Sequence, residues 1–438
     1  MARLPFQAHA TSSPLIRPYY RIRFRRHTSE IKIAPMKLYH VHQNLVSNRL
    51  ENIPEEVFRQ LDSLSIDVPK GDVAITAGSR GIADIAQITR AVGDWLKKEG
   101  ATPFIIPSMG SHNGATAEGQ RAMVESLGIT ESAMDMEIRA SMECVKLGEV
   151  ETGDVFMDRH AYESEGAIVL NRIKLHTCFA GIVQSGLMKM MVVGMGKIRS
   201  AETFHSAPTP EMNRMIIQMG QMLIDSGKIL AGVGILEDGF DATAEIHAVA
   251  PDQITTVEPQ LLEKHKNYFP RLPVDALNVL IVDQTGKIFS GTGMDPNVIG
   301  RSGVRDLHID GPDIHIIAAL RLHPKSQGNA LGVGLADFIT QEFRDSIDEH
   351  KTLINTLTTG EMARLKIPAT LNNDETLIDT IGSRFGHHRW MFAPNTLHLE
   401  DLYVSEDLCE ELAGHPKCEV ADDPTTLSFS NGRHELVF

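Results

Sequence analysis

The stretch VAITAGSRGIADIAQITRAVGDWLKKEGATPFIIP, residues 73–107, decides the fold. It opens on a short apolar run (Val73 to Thr76) of the length and composition of a buried strand. The turn AGSRG follows. A helical stripe then places Ile82, Ile85, Ile88, Val92, Trp95 and Leu96 on one face, with Asp84, Arg90, Asp94 and Lys97 off it. Gly100 stands where a helix ends in the left-handed region. Phe104 to Pro107 is the next buried strand. Strand, helix, strand in this order is the unit of a parallel α/β layer.

The pattern continues outward. The loop after Pro107 reads SMGSHNGATAEGQ, and a helix is predicted from about Ala115 to Leu127. Ala167 to Asn171 is a third strand. Thr209 is predicted as the N-cap of a further helix with Pro210 at its first position. Met212, Met215, Met219 and Met222 recur along that helix, a pattern that reads as core filling. ILAGVGILED holds another strand. Two prolines in KNYFPRLPVDA mark a boundary near residues 266–276. Beyond it, Asn278 to Gln284 and Ile314 to Leu322 read as strands of a second α/β unit, and Leu335 to Ile347 as a helix. The expected organisation is a basic leader over 1–36, an α/β domain over 37–270, a second α/β domain over 275–415, and a tail over 416–438 that packs back on the first domain.

The leader holds seven Lys/Arg and one acid, so the remaining chain carries -21 of a total charge of -15. It reads as an organelle-targeting segment or, preferably, as sequence ahead of a true start at Met36. The overall negative charge excludes nucleic acid as the main partner, because phosphate binding needs a basic face. No apolar run is long enough for a membrane span. The four cysteines (Cys144, Cys178, Cys409, Cys418) form no CxxC pair, which speaks for free thiols in a reducing cytoplasm. GSRG lacks the spacing of a phosphate loop or of a dinucleotide-binding turn, and no GxSxG elbow or HExxH helix is present. His387-His388 is a weak metal pair, since adjacent residues point different ways. Nothing in the sequence speaks to oligomeric state.

The chemistry concentrates in the middle of the chain. Ligands of parallel sheets sit beyond the carboxyl ends of strands, where Arg80, His112 and His176 fall. Arg80 suits a carboxylate or phosphate. Lys189 stands inside the apolar run LMKMMVV, where burial would make its amine nucleophilic. His205 follows in ETFHS. Acid/base catalysis, a cofactor attachment point and a metal ligand are all within reach of this set, which points to an enzyme with a bound metal-organic group.

Taken together these segments resemble the nickel-pincer-nucleotide-dependent lactate racemase family. The resemblance rests on Gly110-Ser111-His112, on Leu175-His176-Thr177-Cys178-Phe179-Ala180-Gly181, on Ser185-Gly186-Leu187-Met188-Lys189, and on His205 sixteen positions after the lysine. It departs from the family at Gly78-Ser79-Arg80-Gly81, which keeps only the arginine of an acidic loop. It departs again in the longer stretch between His176 and Lys189.

The resemblance implies two α/β domains with a cofactor cleft between them. It implies Lys189 as the attachment site of a nickel-pincer nucleotide, His205 as the nickel ligand, and His112 and His176 as paired acid/bases. Arg80 would hold the substrate carboxylate or the cofactor phosphate, and Lys287 or Arg301 would supply the second domain's substrate cation. The implied reaction is racemisation or epimerisation of a 2-hydroxy acid by hydride transfer, with cofactor-biosynthesis proteins as partners. A dehydrogenase or hydro-lyase in the same pocket, and a non-catalytic cofactor-binding protein, stand as alternatives.

Overall fold

The computed structural model describes residues 36–438. The leader therefore lies outside the described residues except for Met36, which is buried. Strand β1 (Lys37–Gln43) does not join the strands that follow it in sequence. The next strands build a first sheet: β2 (Asp72–Ala77), β3 (Thr102–Pro107) and β4 (Glu137–Ile138). A hairpin of β5 (Cys144–Val150) and β6 (Gly153–Asp158) interrupts them, and β7 (Gly166–Arg172), β8 (Ile229–Glu237) and β9 (Thr243–Val249) complete the sheet in the order β4-β3-β2-β7-β8-β9. All its pairings are parallel except β8 with β9.

Five of the six residues of β2 are buried, because apolar layers cover both faces of the sheet. That is why these strands read as continuous apolar runs rather than alternating ones. The helix Ile85–Lys98 buries the predicted stripe, and Gly100 adopts a φ of 93° at its exit. The helix Ala117–Ser126 is capped by Thr116, whose hydroxyl accepts from Gly119 N–H at 3.0 Å. In the helix Thr209–Asp225 the cap is Pro208, so Thr209 is itself the first helical residue and not the predicted N-cap. Met212, Met215 and Met219 of that helix are core residues.

The second sheet runs β13 (Ala369–Leu371), β12 (Phe338–Thr340), β11 (Asp313–Leu322), β10 (Ala276–Thr285), β14 (Trp390–Ala393), β15 (Asp401–Val404), β1 and β16 (Cys418–Val420). β17 (Thr425–Thr426) also pairs with β1. Two sequence expectations are corrected here. Residues 37–43 belong to the second sheet, not the first, and the tail packs on that same sheet through β16 and β17. Leu427 and Phe429 carry it into the core there. The physical cause is antiparallel pairing of β1 with β15 and β16, a long-range contact invisible to local pattern. The helix predicted over 335–347 is also corrected. Phe338–Thr340 is a parallel strand, and the helix is the short Gln341–Asp345, capped by Thr340.

Both sheets reverse their winding at one point. In the first sheet the chain winds from β2 toward β4 on one side and then resumes at β7 on the other. In the second it winds from β10 toward β13 and resumes at β14. Crevices form beyond the carboxyl ends of strands at such points. The loops after β2, β3 and β7 and the loop after β10 are thus the ones the fold offers for a site. Among the described residues no helix is long and apolar enough to cross a membrane.

Candidate functional site

Arg80 leaves β2, His112 leaves β3 and His176 leaves β7. The sheet order β3-β2-β7 puts the arginine loop between the two histidine loops. With adjacent strands about 4.8 Å apart, the two histidine loops depart from strands roughly 10 Å apart.

His176 is the most constrained of these residues. Its Nδ1 accepts from the Cys178 amide at 3.0 Å, and its Nε2 lies 2.7 Å from Lys189 Nζ. The ring lies tilted over Phe179, 4.3 Å between centroids. Because Nδ1 is an acceptor, the proton of the neutral ring sits on Nε2. That proton can be received by the Lys189 lone pair when the amine is in its uncharged form. Burial acts in the same direction and draws the Lys189 amine down to about 8. Burial, then the Lys189 charge, holds His176 well below the ordinary imidazole value. Phe179 and Phe204 flank the amine at 5.2 and 5.9 Å.

Lys189 closes the turn Leu187–Lys189, which continues as a π-helical segment Met190–Met195. π-segments are uncommon and often occur at functional sites. The turn is capped from outside. Glu258, in the helix Ile254–Tyr268, accepts from Met188 N–H at 2.8 Å through Oε2, while its buried Oε1 has no partner. Burial raises that carboxyl to about 7. A Cβ on Gly186 would stand 2.1 Å from Oε1, so only glycine fits beneath the cap.

His112 is open to solvent, yet protein surrounds it on enough sides that desolvation, then Arg80, Lys189, His205 and Lys287, draws it down to about 4. Its Nδ1 contacts Ser79 Oγ. Gly194 makes the approach possible, since a Cβ there would stand 2.8 Å from Ser108 O at the start of the His112 loop.

His205 lies in the helix Lys197–Ser206. Its ring nitrogens have no hydrogen-bond partner among the described residues, and burial, then Lys189, draws it down to about 4. It is therefore a neutral imidazole with a free lone pair. The start of its helix is fixed by Lys197, fully buried, which pairs with fully buried Asp158 at 2.9 Å and donates to Pro107 O at the end of β3.

From the second sheet comes Lys287, on the loop after β10. Its Nζ donates to Asn355 Oδ1 at 2.6 Å, and burial, then Arg80, draws it down to about 8. Arg80 reaches toward the same loop, 3.8 Å from the position of a Cβ on Gly291. Neither cation has a carboxylate partner among the described residues. Two like charges brought together from opposite sheets define a place for an anion. Arg301 is not there. It is bound to Asp337 Oδ2 at 2.8 Å and to the carbonyls of Leu335 and Ile314, so it braces the second sheet. The left-handed Gly300 just before it ends a short helix. His387 packs edge-on to Trp390, away from these residues.

Several residues at the site carried no usable sequence signal. Ser79 lies in the Gly78–Gly81 turn beside Arg80, and its hydroxyl is what meets His112. Lys174 lies two residues before His176 and is drawn down to about 8 by Arg172 and by burial. Arg364 and Asn297 reach the His176 loop from the second sheet. Glu258 and Arg364 sit in ordinary helical or turn sequence, where nothing local marks them.

Residues 72–215 match the family model of the lactate racemase N-terminal domain. Among solved structures, the lactate racemase apoprotein from Thermoanaerobacterium thermosaccharolyticum aligns with a TM-score of 0.50 at 13% identity, over 83% of this chain and 99% of that one. A protein from Thermotoga maritima aligns with a TM-score of 0.49 at 12% identity, over 82% and 99%. No curated protein matches the sequence. At such identities the structural likeness speaks to the fold alone. Over residues 72–215 the chain is thus similar to the lactate racemase N-terminal domain.

Proposed function

We propose that the protein is a racemase or epimerase of a 2-hydroxy acid. The observation that carries this reading is the order of the loops: two neutral imidazoles, His112 and His176, flank the unpaired guanidinium of Arg80. A carboxylate held between Arg80 and Lys287 would leave its hydroxyl-bearing carbon between two proton carriers. Inversion at such a carbon would require its hydrogen to leave with the bonding electron pair to an acceptor and to return on the opposite face, while the hydroxyl proton is taken up by one imidazole and given back by the other. The Cys178 bond leaves His176 with its proton on Nε2, poised to donate. His112, with Nδ1 engaged by Ser79, keeps Nε2 for the substrate and is the partner that exchanges the proton. Each positioned proton transfer contributes about 10²–10⁴-fold.

The residues present also fit a nickel-pincer nucleotide. Lys189 offers an amine that burial draws down to about 8, which brings its nucleophilic free-base form within reach near neutral pH, and His205 offers a free imidazole lone pair, a ligand type suited to nickel. No three His, Cys, Asp or Glu side chains among the described residues are grouped to hold a metal. A metal at His205 would therefore draw its other ligands from the nucleotide. When bound, that group supplies a hydride acceptor beside the substrate carbon. The chain's own part is to anchor the carboxylate, move the hydroxyl proton and hold the cofactor in the cleft.

The test is a screen of single enantiomers of 2-hydroxy acids, sugar acids included, with protein made in a host that synthesises the cofactor. Formation of the mirror image or epimer is the expected result, reduced about 10²–10⁴-fold in His112→Asn and His176→Asn. Release of a ketone or an alkene in place of the inverted acid would select a dehydrogenase or hydro-lyase instead. Cofactor binding without turnover would select a carrier.

A further inference from the structure

Arg364 is a fully buried guanidinium that the proposed chemistry does not use. It sits in the short turn Met362–Leu365 of the second-sheet half. Its Nε and Nη2 donate to Ser302 O at 3.0 and 2.7 Å, which seats it in its own half. Nη2 also donates to Thr177 O at 2.6 Å, and Nη1 points at Cys178 Sγ at 2.9 Å. No carboxylate neutralises it among the described residues. Burying an uncompensated charge costs free energy that an apolar side chain of similar volume would avoid.

Asn297, from the same half, donates to His176 O at 3.3 Å. Three consecutive residues, His176, Thr177 and Cys178, are therefore held from the opposite sheet. The His112 loop is held differently. Its contacts, Ser79 to the ring and Gln120 Nε2 to Gly110 O at 2.8 Å, come from its own sheet.

We propose that Arg364 is a positioning residue: it fixes the 176–178 loop from the second sheet and so sets the aim of the His176 ring at Lys189. The Cys178 amide that holds His176 Nδ1 belongs to the residue whose sulfur meets the guanidinium, so a shift of that residue turns the ring. A catalytic consequence rests on the acid/base reading of His176, whereas the positioning itself does not.

The experiment is amide hydrogen exchange on the full chain in wild type, Arg364→Lys and Cys178→Ala. Lysine keeps the charge but cannot reach Ser302, Thr177 and Cys178 together. Exchange in the peptide covering 176–184 is expected to rise at least tenfold in Arg364→Lys and by less in Cys178→Ala, with β7 and β8 unchanged in both. In Arg364→Ala, added guanidinium ion should restore loop protection where an alkylammonium ion does not. If turnover is found, it should fall mainly in kcat. Unchanged loop exchange in folded Arg364→Lys overturns the proposal. So does a rise spread evenly over the first sheet, which marks a merely structural role. A wild type without turnover would defeat the racemase reading and leave the exchange result to decide this one.

Discussion

Replacing Glu258 by Gln should stabilise the protein at alkaline pH and leave it nearly unchanged at acid pH. The Glu258 carboxyl caps the turn that carries Lys189, but it is almost wholly buried and one of its oxygens has no partner. Burial outweighs capping, so its folded value stands at about 7 against 4.5 for the free group. A raised folded value contributes stability that is fully present below about pH 4.5 and is lost as pH rises through about 7. The interval is about 2.5 units, and at about 1.4 kcal/mol per unit the loss is roughly 3 kcal/mol. Glutamine keeps an acceptor for the Met188 amide and carries no charge at any pH. Urea unfolding of both proteins at pH 4.5 and pH 8 reads the difference. The curves should nearly coincide at the lower pH, and at pH 8 the variant should be the more stable by roughly 3 kcal/mol. Equal differences at both pH values would show that ionisation of Glu258 costs nothing, and a variant weaker at pH 8 would show that the carboxylate is a net favourable cap; either result refutes the reasoning.

Three further outcomes follow from buried ionisable groups. Lys189 should be acylated by a small amine-reactive ester with a midpoint near pH 8, ahead of surface lysines, as read by peptide mass; a midpoint above 10 would contradict its burial. Lys197→Met strands the Asp158 carboxylate in the core, so thermal or urea unfolding should show a loss of about 3–5 kcal/mol, and a loss under 1 would mean the pair is wet. His265 is buried with both ring nitrogens unpartnered and a folded value of about 3. A depressed value contributes stability present above the free value, about 6.5, and lost as pH falls toward 3. His265→Phe should remove up to about 1.4 kcal/mol per pH unit of that acid-side loss, and parallel pH profiles for the two proteins would contradict this.

What was legible in the sequence was local. Residues 73–107 carry two periods in succession, an unbroken apolar run and a helical stripe, and the structure places β2, the helix Ile85–Lys98 and β3 there. The loops at the carboxyl ends were readable for the same reason, since a strand's end announces where a ligand-facing loop begins. Long-range pairing was not readable. β1 carries no local mark of its partners, which are β15 and β16. LADFITQEF carries apolar residues at both helical and strand spacings, so local pattern favours helix over Phe338–Thr340, and parallel pairing with β11 and β13 decides for strand. Lys287 and Arg301 were equivalent cations in sequence. Asp337, 36 residues beyond Arg301, takes Arg301 out of the site. Glu258 bonds the Met188 amide from 70 residues away and Arg364 bonds Cys178 from 186 residues away, distances no motif spans.

The account's central claim is that four side chains, His112, His176, Lys189 and His205, serve one cleft-bound group. The most direct measurement is the mass of the peptide containing Lys189, with nickel content, from protein made in a cofactor-synthesising host. The predicted result is a covalent adduct on Lys189 and about one nickel per chain. The adduct should be absent in Lys189→Ala, and the nickel should be lost in His205→Ala while the adduct remains. An unmodified Lys189 with no nickel in the wild type would contradict the claim.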